Sequence, residues 1–572
     1  MVPIAFDGCF GWLHPGATDF GVVLCGPDGD EELNVRYLWL SFAEKLASAG
    51  MPTLRFDYRG TGDSIGDCWA PGQVRAWSDS VAGAVNWLRD QVGVKAVALV
   101  GLRLGAPLAV AASRELGNID ALVLLAPVVS GRTYARELRL RMKLDHALAR
   151  ARGRPEKVRR GGPTANEDVE AAGFVYTSET LADLERLNLF EVSRCPASRI
   201  LILKRRLDTS TNERLTAHFR ELGADVSEEE FVGYAAFMQP AQLAEYPRAA
   251  FDCVASWLKQ FSPCRGAVSP PSTPQVQLEP SGCVEEPILF GKQLSLFGVV
   301  CRPPSVRLDV PVLMFLTTWW APHVGQGRMW VTMARYFAQL GFTSLRLDVA
   351  GVGDSFVGLD KPNPSTRLEN AIDNVQAALD WLQSKGHSRF VLIGLCWGAL
   401  LARSVSLRDD RVSGQVLINL PPARETLRSY LWFVRDRLAR DLKSRWRILR
   451  REKKVFSSFK RLATVVIHNA WLGLRSACFR MWRDEGVPDV GAKESRDFLA
   501  YRADTLLVYN QGEVGLYELQ SSKEVKSVTN VRLEVLEDGD HPFYRSSSRR
   551  RLTNLIEDFI TTGRSLPHRP KE

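Results

Sequence analysis

No apolar run in this chain reaches the roughly 18 residues that a bilayer-spanning helix requires. Residues 1–16 lack a basic start followed by an apolar core, so no secretory signal is expected there. The ten cysteines are scattered without paired spacing. Dispersed cysteines in a long chain suit a reduced, cytoplasmic protein better than a disulfide scaffold. No recognised nucleic-acid motif accompanies the formal net charge of +9, which therefore points to an acidic partner and not to nucleic acid. What is present is ordinary globular composition, 45% hydrophobic and 24% charged, over 572 residues, a length that suits two domains rather than one.

The two domains are legible as a repeat. LRFDYRGTGDS occupies residues 54–64 and LRLDVAGVGDS residues 345–355, matching at seven of eleven positions. An apolar, helix-like segment precedes each, WLSFAEKLASAG and WVTMARYFAQLG. Downstream, AVNWLRDQVGVKAVALVGLRLGA at 84–106 parallels ALDWLQSKGHSRFVLIGLCWGA at 378–399. Two long matches in the same order at nearly the same spacing indicate a tandem duplication of whole domains. Six prolines between residues 262 and 287 mark a stiff linker. The expected layout is a first domain at 1–262, a linker at 263–287 and a second domain at 288–565. In the second copy VPVLMFL, FTSLRLD, FVLIGLC, GQVLINL, TLLVYN and VRLEVLE read as strands alternating with helical patterns. That alternation predicts an α/β fold with a mostly parallel sheet covered by helices in each copy.

Chemistry is expected at VLIGLCWGALLARSV, a strand, a tight turn and a helix. Gly394 and Gly398 flank Cys396 in G-x-C-x-G, which resembles the nucleophile elbow of α/β-hydrolase-fold enzymes with cysteine in place of serine. A nucleophile on a strained turn needs neighbours without a Cβ, and the helix start behind it favours a thiolate. In that fold the chain order is nucleophile, acid, histidine. His323 and His387 precede Cys396, His468 lies among basic helices and His568 in the polar tail. His541, in EDGDHPFY after VRLEVLE and before a terminal helix, is the expected base. Glu513, three residues after TLLVYN ends, is the expected acid, with Glu518 and Asp504 as rivals. The oxyanion hole is expected from the N–H of Trp397 and from Thr318 or Trp319 in the loop after the first strand, VPVLMFL. His323 and Arg328 in that loop either contact substrate or merely order it. Neither a metal nor a cofactor is called for.

The first copy carries Arg103 at the elbow, in GLRLGA, and a guanidinium cannot attack a carbonyl. Asp208 stands where an acid would, but no histidine follows near the domain end, and His218 lies directly after the acid strand. The first copy is therefore expected to be noncatalytic. Arg103 either holds an anion at the old site or pairs with Asp208 or Asp63 in an inert scaffold. Each copy has a helical cap insertion, at about 132–195 and about 423–503. Between Arg428 and Arg461 the second cap holds thirteen Lys/Arg against three acids, interleaved with aromatics. This is either a lid for an acidic carrier protein, a coenzyme A phosphate or an anionic membrane surface, or an amphipathic cap with a solvated basic face.

Both halves resemble the serine-aminopeptidase-like, S33-type α/β-hydrolases, including those encoded beside bacterial exosortase systems. LRFDYRGTGDS, GLRLGA and LLAPVVSGRTYARELR carry the resemblance in the first half, and LRLDVAGVGDS, GLCWGA and EDGDHPF in the second. The resemblance implies two tandem α/β-hydrolase domains and, by analogy with paired relatives, an internal pseudo-dimer. Cysteine at the elbow is shared in nucleophile type with polyhydroxyalkanoate synthases and some Dieckmann-type cyclases, which implies acyl transfer or cyclisation from a coenzyme A or carrier-protein thioester. The alternatives are a thioesterase or esterase, and a noncatalytic binding protein.

Overall fold

The computed structural model describes residues 1–151, 168–206, 209–241, 243–262, 277–280, 282–318, 321–358, 368–421, 503–513, 515–516, 519, 530–537 and 539–562. The first half contains β1 (Val2–Phe6), β2 (Cys9–His14), β3 (Phe20–Cys25), β4 (Thr53–Phe56), β5 (Ala96–Leu102), β6 (Ala121–Leu125), a small hairpin of β7 (Val169–Ala171) and β8 (Phe174–Tyr176), then β9 (Arg199–Lys204) and β10 (Asp225–Glu230). The second contains β11 (Val284–Phe290), β12 (Leu296–Arg302), β13 (Val312–Leu316), β14 (Ser344–Asp348), β15 (Phe390–Leu395), β16 (Val412–Ile418), β17 (Asp504–Asn510) and β18 (Val531–Leu536). Six helices bear on the argument: α1 (Asp30–Ser48), α2 (Gly105–Leu116), α3 (Gly131–Ala151), α4 (Met329–Gln339), α5 (Trp397–Ser406) and α6 (Ser546–Thr562).

The two sheets have one topology. Their orders are β1-β2-β4-β3-β5-β6-β9-β10 and β11-β12-β14-β13-β15-β16-β17-β18. In each, the first two strands run antiparallel and the remaining six are parallel to one another. The central parallel strands are apolar on both faces because helices cover both, as in FGVVLC and VLMFL, buried at every position. The tandem α/β fold is therefore as expected.

The antiparallel pair of the second half departs from expectation. β11 begins at Val284, inside the segment read as linker, and Leu278 already bridges Glu285. An edge strand written VEEPILF, with two glutamates and a proline, lacks the apolar signature of the central strands. Edge position is what permits the proline.

Glu285 is nevertheless buried, because β11, β12 and β14 face the first half. Phe10 of β2 stacks on Phe297 of β12 with ring centroids 6.1 Å apart, and Trp12 meets the same ring edge-on at 4.8 Å. Around this apolar patch lies a buried charge lattice. Arg346 donates to Asp63 at 2.5 Å and to Glu285 at 2.8 Å. His323 lies between Asp63 (2.6 Å from Nε2) and Asp348 (2.7 Å from Nδ1). Reciprocally, Arg36 donates to Asp57 at 2.9 Å and to Asp354 at 3.0 Å, and Arg55 pairs with Asp354 at 2.7 Å. Arg328 donates to the carbonyls of Gly60, Gly62, Ser64 and Gly66.

His323 is fully buried. Burial alone would lower its pKa, but Asp348 and Asp63 outweigh that and lift it to about 10. Because the folded value exceeds the unfolded 6.5, the stabilisation is complete below about pH 6.5 and is lost as pH rises through about 10. His323→Gln leaves Asp63 and Asp348 short of a cation, so it should cost about 3 kcal/mol or more at low pH. The difference from wild type in chemical-denaturant titrations should shrink between about pH 6.5 and about pH 10. A pH-independent difference would refute a protonated His323.

Candidate active site

In both copies a strand ends in a residue whose backbone is forced into the left-handed region before a helix begins. Cys396 has φ 56° and caps α5; Arg103 has φ 52° just before α2. The glycines of each elbow are required by contact. A Cβ on Gly394 would lie 2.1 Å from Gly398 O, and one on Gly398 2.7 Å from Thr317 O. In the first copy a Cβ on Gly105 would lie 2.1 Å from Cys25 O. The Cys396 N–H donates to Ile418 O at 2.8 Å and the Arg103 N–H to Leu125 O at 3.0 Å, so both turns are pinned to the next strand.

The second elbow gathers the residues expected around it. His541 Nδ1 lies 2.9 Å from Glu513 Oε2, and the Cys396 side chain is near enough to act on the same ring. Burial would lower the imidazole's pKa, but Cys396 and Glu513 beside it raise it to about 10. Asp504, the rival acid, opens β17 at the opposite end of the strand from Asn510, roughly 20 Å away at 3.3 Å per residue. Glu518, Trp319, His468, His568, Asp208 and the basic stretch of the second cap lie outside the described residues. Trp397 opens α5, and Thr318 follows β13 in the loop on which Gly398 packs.

Two asparagines that sequence reasoning missed hold the His541 loop. Asn419, at φ 47° after β16, donates from Nδ2 to His541 O at 3.0 Å and accepts from Asn510 N at 2.9 Å. Asn510 donates to Asp540 O at 2.7 Å. The available signal was an asparagine at the carboxyl end of each of two adjacent strands, since asparagine tolerates the left-handed region.

Of the two readings of His323 and Arg328 the contacts match loop ordering, and Arg103 meets partners other than the aspartates considered for it. His323 and Arg328 do not face the candidate site: their contacts run to Asp63, Asp348 and the 60–66 turn of the first half. His323, Asp348 and Asp354 have metal-ligand chemistry, but Arg36 and Arg55 already lie on Asp354, and His323 is itself held between carboxylates. Arg103 does not pair with Asp63. It donates to Glu31 of α1 at 3.0 Å and to Glu137 of α3 at 2.7 Å, beside the Tyr134 ring. With both carboxylates in place, a further anion there would meet their repulsion.

All eight cysteines among the described residues are free. Among those residues no helix is long and apolar enough to cross a membrane.

A model of the alpha/beta hydrolase family matches residues 317–553, and one of serine aminopeptidase, S33, matches residues 32–168. No curated protein matches the chain. Among solved structures, the Est1E protein of Butyrivibrio proteoclasticus, determined with ferulic acid bound, is 14% identical over 46% of this chain and 97% of its own, with a TM-score of 0.31. The alpha/beta hydrolase GrgF of Penicillium sp. sh18 is 17% identical over 44% and 93%, with a TM-score of 0.32. A putative hydrolase of Agrobacterium vitis S4 is 15% identical over 46% and 97%, with a TM-score of 0.32. Likenesses of this strength carry no argument about activity. The two family models, falling one on each repeat and each on a sheet of the same topology, make this chain a tandem α/β-hydrolase protein whose first domain is S33-like.

Proposed function

We propose that the second domain is an acyl-transferring enzyme with Cys396 as nucleophile, His541 as base and Glu513 as the acid that orients it. The observation that carries this reading is the Glu513–His541 hydrogen bond beside Cys396 on a strained elbow. His541 takes the thiol proton, and the thiolate attacks the carbonyl carbon of a thioester or activated ester. A C–S bond forms and the carbonyl electron pair moves to oxygen, met by the Trp397 N–H and by Thr318 or Trp319. Collapse expels the donor's thiolate or alkoxide, which takes the proton from the imidazolium. His541 then deprotonates an acceptor amine, alcohol or carbanion precursor, whose attack restores Cys396.

Cysteine favours transfer because an acyl-thioester exchanges readily with other nucleophiles. Hydrolysis is the second reading: both family models are of hydrolases, and water then serves as acceptor. The donor proposed is a coenzyme A or carrier-protein thioester, with the basic 423–503 cap as its docking lid. The first domain is proposed to be noncatalytic, since Arg103 stands at its elbow and is locked to Glu31 and Glu137. The reciprocal buried lattice supports an internal pseudo-dimer.

Intact-mass measurement with acyl-thioesters of graded length should show one acyl adduct on wild type, absent in Cys396→Ala and formed about a thousandfold more slowly in His541→Ala. No adduct and no turnover with any thioester or ester would remove the acyl chemistry and leave a binding role. Adding amine or alcohol acceptors should convert the product from free acid to amide or ester. If Cys396→Ser hydrolyses faster than the parent and acceptors change nothing, hydrolysis replaces transfer.

A further inference from the structure

The loop that begins at His541 is held from two sides. Asn419 and Asn510 hold it from within its own domain. The other side is held by the β7–β8 hairpin of the first domain. Glu170, in the middle of β7, accepts from the Ser546 N–H at 2.6 Å and lies 3.3 Å from Arg549 Nη2. Arg549 in turn donates from Nη1 to Phe543 O at 3.2 Å and to Tyr544 O at 3.0 Å. A chain of contacts thus runs from a carboxylate of the noncatalytic half to the backbone two residues beyond His541.

The helix behind this loop explains why an outside carboxylate is needed. The first N–H groups of any helix lack partners within it, and a negative charge beside them is stabilising. α6 has no acidic residue in its own first turn. Glu170 supplies that charge from 376 residues away in the chain. The hairpin is also seated by shape. Gly173 and Gly327 touch backbone to backbone, a Cβ on Gly327 lying 2.2 Å from Gly173 O, and Phe174 packs on Leu33, Val324 and Val331. Burial raises the Glu170 carboxyl above the usual range, opposed by Arg549 and the Ser546 N–H.

We propose that Glu170 is a positioning residue for His541, so that the noncatalytic domain sets the geometry of the catalytic one. This rests on the reading of Cys396 and His541 as nucleophile and base. If Glu170 is removed, α6 loses its cap, Arg549 loses its counter-charge, and the 541–545 loop is anchored on one side only. The imidazole then no longer holds its place between Glu513 and Cys396.

The test uses the full chain and needs no substrate. Iodoacetamide alkylation at residue 396 is followed by peptide mass at about pH 6.5 and about pH 9, because thiolate content sets that rate. Thermal melting is measured alongside. Wild type should react faster than His541→Ala at the lower pH, with the difference narrowing at the higher. Glu170→Ala should lose about tenfold at the lower pH and little at the higher. Glu170→Gln, which keeps the acceptor for Ser546 and loses the charge, should fall between.

A Glu170→Ala profile that coincides with wild type overturns the positioning role and leaves the triad standing. A loss of equal size at both pH values, tracking a lowered melting temperature, makes Glu170 a structural prop and also overturns it. A wild-type profile indistinguishable from that of His541→Ala sinks the triad reading and this inference with it.

Discussion

Asp63 is a carboxylate of the first half in contact with two cations of the second, His323 and Arg346, and Asp354 is a carboxylate of the second half in contact with two cations of the first, Arg36 and Arg55. Taking such groups out of water costs several kcal/mol per ion, and that cost is offset only when oppositely charged partners arrive in good geometry. Burial would raise the Asp63 carboxyl, yet His323 and Arg346 hold it well below the usual range. The halves therefore meet in one register, because sliding either sheet would strand several buried charges together. The eleven residues that the two copies share most closely are the turns that carry these aspartates. Each copy uses its turn in the same way. Ser64 and Ser355 both accept from the N–H of a phenylalanine on the second strand, Phe10 or Phe297, and both donate to the carbonyl of the first aspartate of their motif. The most similar segment of the repeat thus carries both a shared turn geometry and the carboxylates that cross between the halves.

The chemistry separates the copies. Both elbows keep the strained φ and the small neighbours that strain demands, so the backbone of a nucleophile turn persists in the first domain without a nucleophile. In place of a reacting group stands Arg103, clamped by carboxylates from α1 and α3. Those two ion pairs tie the cap helix to the start of α1. Arg103 is thus a strut between core and cap, and the cap helix it holds precedes the hairpin that reaches the other domain.

Much of this was legible along the chain, and the reason is locality. A strand, a glycine-flanked turn and a helix lie within fifteen residues, so the elbow announces itself. His541 and Glu513 follow from chain order and strand ends. What escaped was held by partners far away in sequence. His323 and Arg328 sit in a loop that reads as substrate-facing, and only the first half, some 260 residues earlier, shows what they touch. Arg103 was matched with aspartates that chain position suggested, whereas Glu31 and Glu137 reach it from elements whose placement depends on the fold. β11 was hidden because an edge strand with two glutamates and a proline has no long apolar run.

Three non-glycine residues around the candidate site, Cys396, Asn419 and Phe543, hold left-handed backbone. Conformations of that kind cost of order 1–3 kcal/mol each and persist only where the surroundings over-determine them. Cys396 is fixed by its own strand and helix. Asn419 is fixed by β17, through its N–H to Val508 O and its side chain to Asn510. Phe543 is buried in the core, but its carbonyl is held by Arg549, whose counter-charge is Glu170. The strain nearest His541 is therefore underwritten in part by the other domain. Such support needs no chemistry of its own, since holding a loop requires only a rigid hairpin and one well-placed carboxylate. Both depend on the lattice at Asp63 and Asp354 to bring them within reach.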